Sequence, residues 1–457
     1  MSETVPPGIP HARLPAFLSS PESRALLAEL YGAGEEAAQQ KRYTALADLF
    51  MQRFGAAEGG LRIFSAPGRS EIGGNHTDHN HGKVLAASIQ LDCVAVAAAT
   101  SNRRIHIYDK SYGEDYVVDL DGDLAPVPAE KGSAALVRGI AAGFKNPSLT
   151  GGAPFALGGF SACVESRVLP GSGLSSSAAF EMLIGGILNV LYNGGKLPVE
   201  KLAAMGQYGE NRYWGKGSGL LDQMASGAGG VAAIDFEDPA APLLERIPFD
   251  FTSRRYALVL VNTGGNHANL SGEYSAIPNE MKSVAAFFGH EVLRGISVAD
   301  LLRQLPALRA RCGDRAVLRA LHFVQENQRV DDEIRALKDD DFPRFLSLIQ
   351  ESGDSSYKFL QNVVVPQADP REQNIPVCLA LTEAFFRERR LNAGVRRAAC
   401  RVHGGGFAGV IQAFVPLDEA EAYTAWMHSA LGYTGAGPSP VFVMSVRPRG
   451  VVEVTRP

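Results

Sequence analysis

The sequence predicts a two-domain α+β protein, and three observations lead there. At 457 residues the chain is too long for one ordinary hydrophobic core. Runs rich in β-branched and aromatic residues are mixed with amphipathic runs, but without the regular strand–helix succession of a doubly wound sheet. No repeat with a period of roughly 20–50 residues stands out, which sets solenoids and propellers aside.

Pro21 to Tyr31 and Lys41 to Phe54 carry apolar residues at helical spacing (Leu26, Leu27 and Leu30, then Leu46, Leu49, Phe50 and Phe54), predicting a helical lead-in. Leu61 to Ala66 reads as a strand ending in a loop at Pro67-Gly68. Lys83 to Thr100 and Arg104 to Leu120 have strand composition. The most apolar long window, Val84 to Ala99, is interrupted by Gln90 and Asp92; it reads as two buried strands or one long bent one, not a membrane span. Ser175 to Tyr192 predicts a helix with Met182, Leu183, Ile187, Val190 and Leu191 on one face. Serines can cap its start, and Asn193-Gly194-Gly195 stops it. Pro198 to Trp214 predicts another helix. The Pro-, Ala- and acid-rich stretch from Asp235 to Pro248 marks the region of a domain boundary, giving domains of residues 1–245 and 246–457. Beyond it come a strand (Tyr256 to Asn262), several helices between Val298 and Leu360, and a helix from Pro376 to Glu388. A glycine turn at Gly404-Gly405-Gly406 leads into the apolar run Phe407 to Val415.

Hydrophobic residues make up 46% and charged residues 20% of the chain, the balance of a globular protein. A formal net charge of -5 argues against a broad nucleic-acid footprint, though not against a single nucleotide. Five cysteines (Cys93, Cys163, Cys312, Cys378, Cys400) are scattered, odd in number and free of any CxxC. That pattern disfavours a disulfide framework or thiolate zinc site and fits a reducing compartment. Met1 to Phe17 lacks a basic start followed by an apolar block, so no signal peptide is expected. The expectation is a cytoplasmic monomer with neither membrane nor nucleic acid as partner.

The most informative stretch is Leu169 to Ala179, LPGSGLSSSAA. Gly171 and Gly173 allow consecutive backbone N–H groups to turn into one concavity. The helix starting near Ser175 adds unpaired amides and the positive end of its dipole, which suits a phosphate. The small residues Ser172, Ser175, Ser176 and Ser177 flanking Leu174 let a triphosphate approach, and a serine hydroxyl can ligate magnesium. Neither a Walker A loop nor a dinucleotide fingerprint is present. A glycine turn with a serine cap is the plain structural alternative.

This run resembles the phosphate-binding motif of the GHMP kinases. Ala66 to Arg69 (APGR) is similar to the opening of another motif of that superfamily, and Gly404 to Gly409 (GGGFAG) resembles its C-terminal glycine motif. All three fall in the family's order. Within the superfamily, Ala66 to Gly82 (APGRSEIGGNHTDHNHG) resembles the galactokinase signature, in which APGR is followed by GEHTD and an aromatic. The glutamate of that signature is Asn75 here, and its aromatic is His79.

The resemblance implies the two-domain GHMP kinase fold: an N-terminal domain like the second domain of ribosomal protein S5, a ferredoxin-like C-terminal α+β domain, and a cleft between them for ATP and sugar. It implies transfer of phosphate from ATP to the anomeric hydroxyl of a sugar, galactose first, with Mg²⁺. Gly219 to Met224 (GLLDQM) is similar to the segment holding the catalytic aspartate, which makes that residue Asp222, with Arg69 beside it. Arg69, Asn75, His76, Asp78, Gly219, Asp222 and Tyr274 are the implied sugar-site residues; Gly171 to Ser177 would bind the nucleotide, and Ser177 and Glu210 the metal. His267 is expected to be structural. A carboxylate only accepts hydrogen bonds whereas an amide also donates, so Asn75 opens the alternatives of arabinose, a uronic acid or another relative. A catalytically silent sugar or ATP sensor on the same fold is a second alternative. A third reads His76, Asp78, His79 and His81 as the metal ligands of a hydrolase.

Overall fold

In the computed structural model, which describes residues 7–168, 173–264, 270–365, 369–407 and 409–456, two sheets organise the chain. The spine of the first is an antiparallel pair, Arg62–Gly73 (β1) and Lys83–Ala99 (β2). Arg104–Asp109 (β3), Glu114–Asp119 (β4), Phe160–Ser166 (β5), Val231–Asp235 (β6) and Leu243–Ile247 (β7) extend it. Tyr256–Asn262 (β8), Ala399–Val402 (β9), Val410–Pro416 (β10) and Val441–Met444 (β11) form the second sheet, in the order β11-β8-β10-β9. The last strand, Val452–Glu453 (β12), returns to the first sheet beside β1, giving the order β12-β1-β2-β5-β3-β4.

β2 resolves the ambiguity of the long apolar window: it is one strand of 17 residues that changes partner along its length. Cys93 to Ala99 pairs with β5, while Lys83 to Ala87 pairs with β6. Small and β-branched residues suit a strand covered on both faces. Arg104 to Leu120 is two strands, β3 and β4, paired as a hairpin. β1 departs further from expectation. It does not end at Ala66 but runs through Pro67 and Gly68 to Gly73, with register shifts at Pro67/Arg69 and at Glu71/Gly73. Proline gives no N–H to the ladder, and an irregularity of this kind is where a strand interior tolerates it.

The helix Ser176–Asn193 packs on β1 and β2, beside the helices Ser133–Lys145, Val199–Gly209 and Leu221–Ala228. It stops at Gly194, which takes the left-handed conformation expected of a C-terminal glycine. The N-terminal helices Pro21–Tyr31 and Glu36–Phe54 form a separate apolar cluster with β1, β2 and β5; the second starts five residues ahead of the expected Lys41. One core runs from β1 and β2 through the helices Asp314–Lys338 and Phe342–Ser355 to β8 and β10. Within it Phe345 and Phe251 each meet Phe414 edge-on, with centroids 5.5 and 5.1 Å apart. Aromatic pairs of this kind add roughly 0.5–1.5 kcal/mol each beyond their area burial. The helix Asn374–Glu388 lies on the other face of the second sheet. Among the described residues no helix is long and apolar enough to cross a membrane.

Candidate active site

The irregularity in β1 positions Arg69. A Cβ on Gly68 would lie 2.9 Å from the Leu174 carbonyl, so glycine lets that segment close on the strand. The same carbonyl accepts the Arg69 N–H at 3.1 Å. The Arg69 guanidinium is buried and directs Nε (2.8 Å) and Nη2 (2.6 Å) to Asp222 Oδ1. Its Nη1 donates to the Gly173 carbonyl. Asp222 Oδ2 accepts the Ser175 hydroxyl. Ser175 is the N-cap residue of the helix Ser176–Asn193 but sits at φ 57°, ψ 61°, with no side-chain cap on the helix amides. The expected serine cap is therefore replaced by a bond to Asp222, and the first amides of the helix keep no side-chain partner at the cap.

Glu210 comes from a second local irregularity. The helix expected to reach Trp214 ends at Gly209 and passes into a π turn, Glu210–Trp214; such turns recur at functional sites. Glu210 Oε2 accepts Ser218 Oγ (2.5 Å) and Gln223 Nε2 (3.1 Å). Oε1 accepts Ser177 Oγ (2.8 Å) and Lys216 Nζ (3.0 Å). The Lys216 ammonium also lies 3.3 Å from Ser177 Oγ and 4.0 Å from the centroid of the Trp214 ring. Burial, and then the Glu210 charge, push the neighbouring Glu181 well above the carboxylate range.

A cavity of about 520 Å³ opens beside Asp222, lined by Arg69, Glu71, His76, Asp78 and Tyr274 among others. Gly219 borders it, and a Cβ there would lie 1.9 Å from Asp78 Oδ2, so glycine makes room for that carboxylate. His76 Nε2 is 3.0 Å from the Gly405 carbonyl. A carbonyl only accepts, so Nε2 carries the proton. Burial and the nearby His79 pull the His76 pKa down to about 3, and the ring is neutral. Three successive glycine carbonyls are held from this side: Gly404 by Asn75 Nδ2 (2.7 Å), Gly405 by His76 and Gly406 by Tyr274 Oη (3.0 Å). A Cβ on Gly405 would lie 2.4 Å from the Tyr274 ring, which explains glycine at the centre of that turn.

Asn75 corrects an expectation. It is fully buried and does not line the cavity. Its Nδ2 donates to Gly404 O and Glu71 Oε1, and its Oδ1 accepts Asn362 Nδ2 (2.8 Å) and Ser356 Oγ (3.3 Å), so the amide is saturated. Glu71 faces the cavity in its place. Glu71 Oε1 takes Asn75 Nδ2 at 2.8 Å and Arg401 Nη2 at 2.9 Å. Burial raises its pKa, opposed by Arg401 and Arg69. The hydrolase reading fails on geometry: among the described residues no group of three or more His, Cys, Asp or Glu side chains is placed to hold a metal.

A second cavity, about 410 Å³, is lined by Gly173, Ser175, Ser177, Glu210 and His403. It shares Lys216, Ser218, Asp222, Tyr274 and Gly405 with the first. A third, about 280 Å³, shares Ser176 and Ser177 with the second and adds the apolar surfaces of Leu136, Phe180 and Trp214. The three follow one another, and Asp222 stands where the first two meet. Gly171, Ser172, His267 and Ala408 lie outside the described residues. Sequence reasoning missed Glu71 and Lys216. Glu71 is two residues from Arg69, the same-face spacing of a strand, and a lysine among Gly215, Gly217 and Gly219 is a recognisable phosphate-loop composition.

Residues 48–99 match the family model for the galactokinase galactose-binding signature, and residues 135–230 that for the GHMP kinases N terminal domain. Galactokinase of Actinobacillus pleuropneumoniae serotype 3 (strain JL03) is 30% identical over 366 residues, covering 78% of this chain and 85% of the relative. That of Mannheimia succiniciproducens is 29% identical over 383 residues, covering 82% and 89%. The crystal structure of Lactococcus lactis galactokinase complexed with galactose matches with a TM-score of 0.72 at 23% identity, over 90% of this chain and 100% of that one. Methanococcus jannaschii mevalonate kinase matches with a TM-score of 0.55 at 14% identity, over 85% and 99%. The mixed α+β architecture is thus that of the GHMP kinases, and the chain belongs to the galactokinase family.

Proposed function

We propose that this chain transfers the γ-phosphoryl group of ATP to the anomeric hydroxyl of galactose, giving ADP and galactose 1-phosphate. The observation that carries the mechanism is the placement of Asp222, paired with Arg69 and lining both the cavity bordered by Glu71 and Asp78 and the one bordered by the helix start. The nucleotide's phosphates belong at Gly171 to Ser177, against the uncapped amides of the helix Ser176–Asn193. The third cavity, where Leu136, Phe180 and Trp214 offer apolar surface beside the polar groups of Asp109, Glu114 and Lys131, suits the base.

Ser177 Oγ and Glu210 Oε1 converge on the Lys216 ammonium. A hydroxyl and a carboxylate are the hard oxygen donors that Mg²⁺ takes alongside phosphate oxygens and water, so the pair fits that ion. Bound there, Mg²⁺ would neutralise phosphate charge. Ser218 and Gln223 fix Glu210 Oε2 and so aim Oε1.

In the reaction the sugar oxygen forms a bond to the γ-phosphorus while the bridging P–O bond to the β-phosphate breaks. The electron pair leaves with ADP. The hydroxyl proton passes to the Asp222 carboxylate, which Arg69 holds in place. Arg69 also faces the charge that builds on the phosphoryl oxygens. Asp78 and Glu71 offer carboxylate oxygens to sugar hydroxyls, while His76 and Tyr274 shape the wall between them. With Asp222 the sugar cavity carries three carboxylates, which favour a neutral sugar and repel a uronic acid.

ADP release by the purified protein, measured with galactose, arabinose, galacturonic acid and no sugar, tests the reading. The expected result is galactose-dependent release, lost in Asp222→Ala while ATP still binds. No release with any sugar would reject the kinase and favour a silent sensor.

A further inference from the structure

We propose that His403 is a nucleotide-binding residue, donating a hydrogen bond from Nδ1 to the phosphate chain beside Gly173. The inference rests on the nucleotide site proposed above and adds a residue to it. His403 joins β9 to the glycine turn, and its N–H donates to the Val410 carbonyl at 3.0 Å, so the backbone is fixed between β9 and β10. His403 is 2% exposed. Its Nε2 lies 3.3 Å from the Glu71 backbone N–H and 3.0 Å from Ser70 Oγ. A backbone N–H can only donate, so Nε2 is an acceptor and the ring proton sits on Nδ1.

Among the described residues that proton has no acceptor: Nδ1 is buried without a hydrogen-bond partner. Burial, with Arg69 and Arg401 nearby, holds the ring well below the usual histidine range, so a second proton does not alter the assignment. Native folds leave few buried donors unpaired, and an orphan of this kind marks a place where an acceptor arrives. Its position says which acceptor. A Cβ on Gly173 would lie 2.9 Å from Nδ1, so the buried Nδ1 faces Gly173 and only a glycine fits against it. His403 and Gly173 line the same cavity as Ser175, Ser177 and Lys216. The cavity also carries the Glu210 and Asp222 carboxylates, but on the Gly173 side the helix start with its free amides and the Lys216 ammonium suit a phosphate oxygen as the acceptor.

Isothermal titration of ATP, ADP, adenosine and galactose into wild type, His403→Leu and His403→Asn tests the contact without turnover. Loss of one hydrogen bond to a charged group predicts roughly 10–100-fold weaker ATP and ADP binding in His403→Leu. Adenosine and galactose binding should be unchanged. His403→Asn, whose amide nitrogen can take the place of Nδ1, should restore nucleotide binding. Wild-type ATP affinity in His403→Leu would overturn the proposal; so would equal loss of adenosine, galactose and ATP, the mark of a purely structural ring. Should His403→Leu fail to fold, ¹⁵N-histidine spectra of the wild type decide: the Nδ1–H resonance must move with ADP and stay still with adenosine. Because binding is read directly, absent sugar phosphorylation in the wild type would count against the kinase reading and not against this contact.

Discussion

The Asn75 carboxamide donates from Nδ2 to Glu71 Oε1 at 2.8 Å, tying a buried residue of the sugar signature to the carboxylate that borders the cavity. Asn75 therefore acts behind the site as a positioning residue, and Arg401 completes the brace at 2.9 Å. Among the described residues Glu71 Oε2 has no protein donor, and it is the oxygen left for a sugar hydroxyl. Glu71→Gln keeps the shape and replaces an oxygen by a donor, with a charge removed. We expect kcat/KM for galactose to fall roughly 10–100-fold, the worth of a hydrogen bond to a charged group. Galacturonic acid should gain in relative terms. Steady-state kinetics with both sugars checks this; an unchanged ratio would remove Glu71 from substrate selection.

Gly219 is where the segment carrying Asp222 meets Asp78. Gly219→Ala would drive a methyl group to within 1.9 Å of Asp78 Oδ2, so the carboxylate must swing away. The change touches the sugar side and leaves Ser177 and Glu210 in place. The expected result is a raised KM for galactose with the KM for ATP unchanged. Equal increases in both would point to a general loosening of the loop instead.

The pair formed by Ser177 and Glu210 gives a prediction about the metal. Glu210→Gln keeps a carbonyl oxygen for Ser218 and Gln223 but removes the negative charge. The Mg²⁺ concentration giving half-maximal turnover should rise, and Mn²⁺ bound with ADP, followed by electron paramagnetic resonance, should bind more weakly. Lys216→Met is expected to do the opposite to metal binding, because its ammonium sits 3.0 Å from the same oxygen and competes for it. Unaltered Mn²⁺ affinity in both variants would place the ion elsewhere.

The elements legible in the sequence were those set by local periodicity. The helix Ser176–Asn193, with its apolar face and glycine stop, and β8 lie where their patterns put them. What escaped depended on contacts between distant segments. β1 runs through Pro67 because β2 supports it beyond the irregularity, and a local reading of Pro67-Gly68 ends the strand. Ser175 has the chemistry of a cap, yet Asp222, 47 residues on, takes its hydroxyl. The structure brings Arg69 to Asp222 and Ser177 to Glu210, residues that the resemblance named motif by motif because each lies in a segment of local spacing. Asn75 was misjudged for the opposite reason: its partners Ser356, Asn362 and Gly404 come from the far half of the chain, and no local pattern announces that they enclose it.

The N-terminal helices are joined to the catalytic sheet by a buried ionic cluster, and this sets the acid stability of the fold. Asp92 on β2 is fully buried; its Oδ1 pairs with Arg42 at 2.7 Å, and its Oδ2 accepts Tyr31 Oη at 2.5 Å and lies 3.3 Å from Arg447. Burial alone would raise its pKa, but Arg42, Arg447 and the hydroxyls of Ser65 and Tyr31 bring it below the ordinary value. A carboxylate with a depressed folded-state pKa contributes stability that is fully present above its unfolded pKa and lost as pH falls toward the folded one. The window therefore opens below about pH 4. Asp92→Asn leaves two buried guanidiniums without their shared anion, although Arg42 keeps Glu165 at 2.8 Å. Breaking a buried pair in this way costs about 3–5 kcal/mol. Denaturant titrations at neutral pH should show that loss, and the gap between variant and wild type should narrow as the pH is lowered past about 4, where the wild type gives up the same interaction. A variant as stable as wild type at neutral pH would show that the cluster does not hold the N-terminal helices to the sheet.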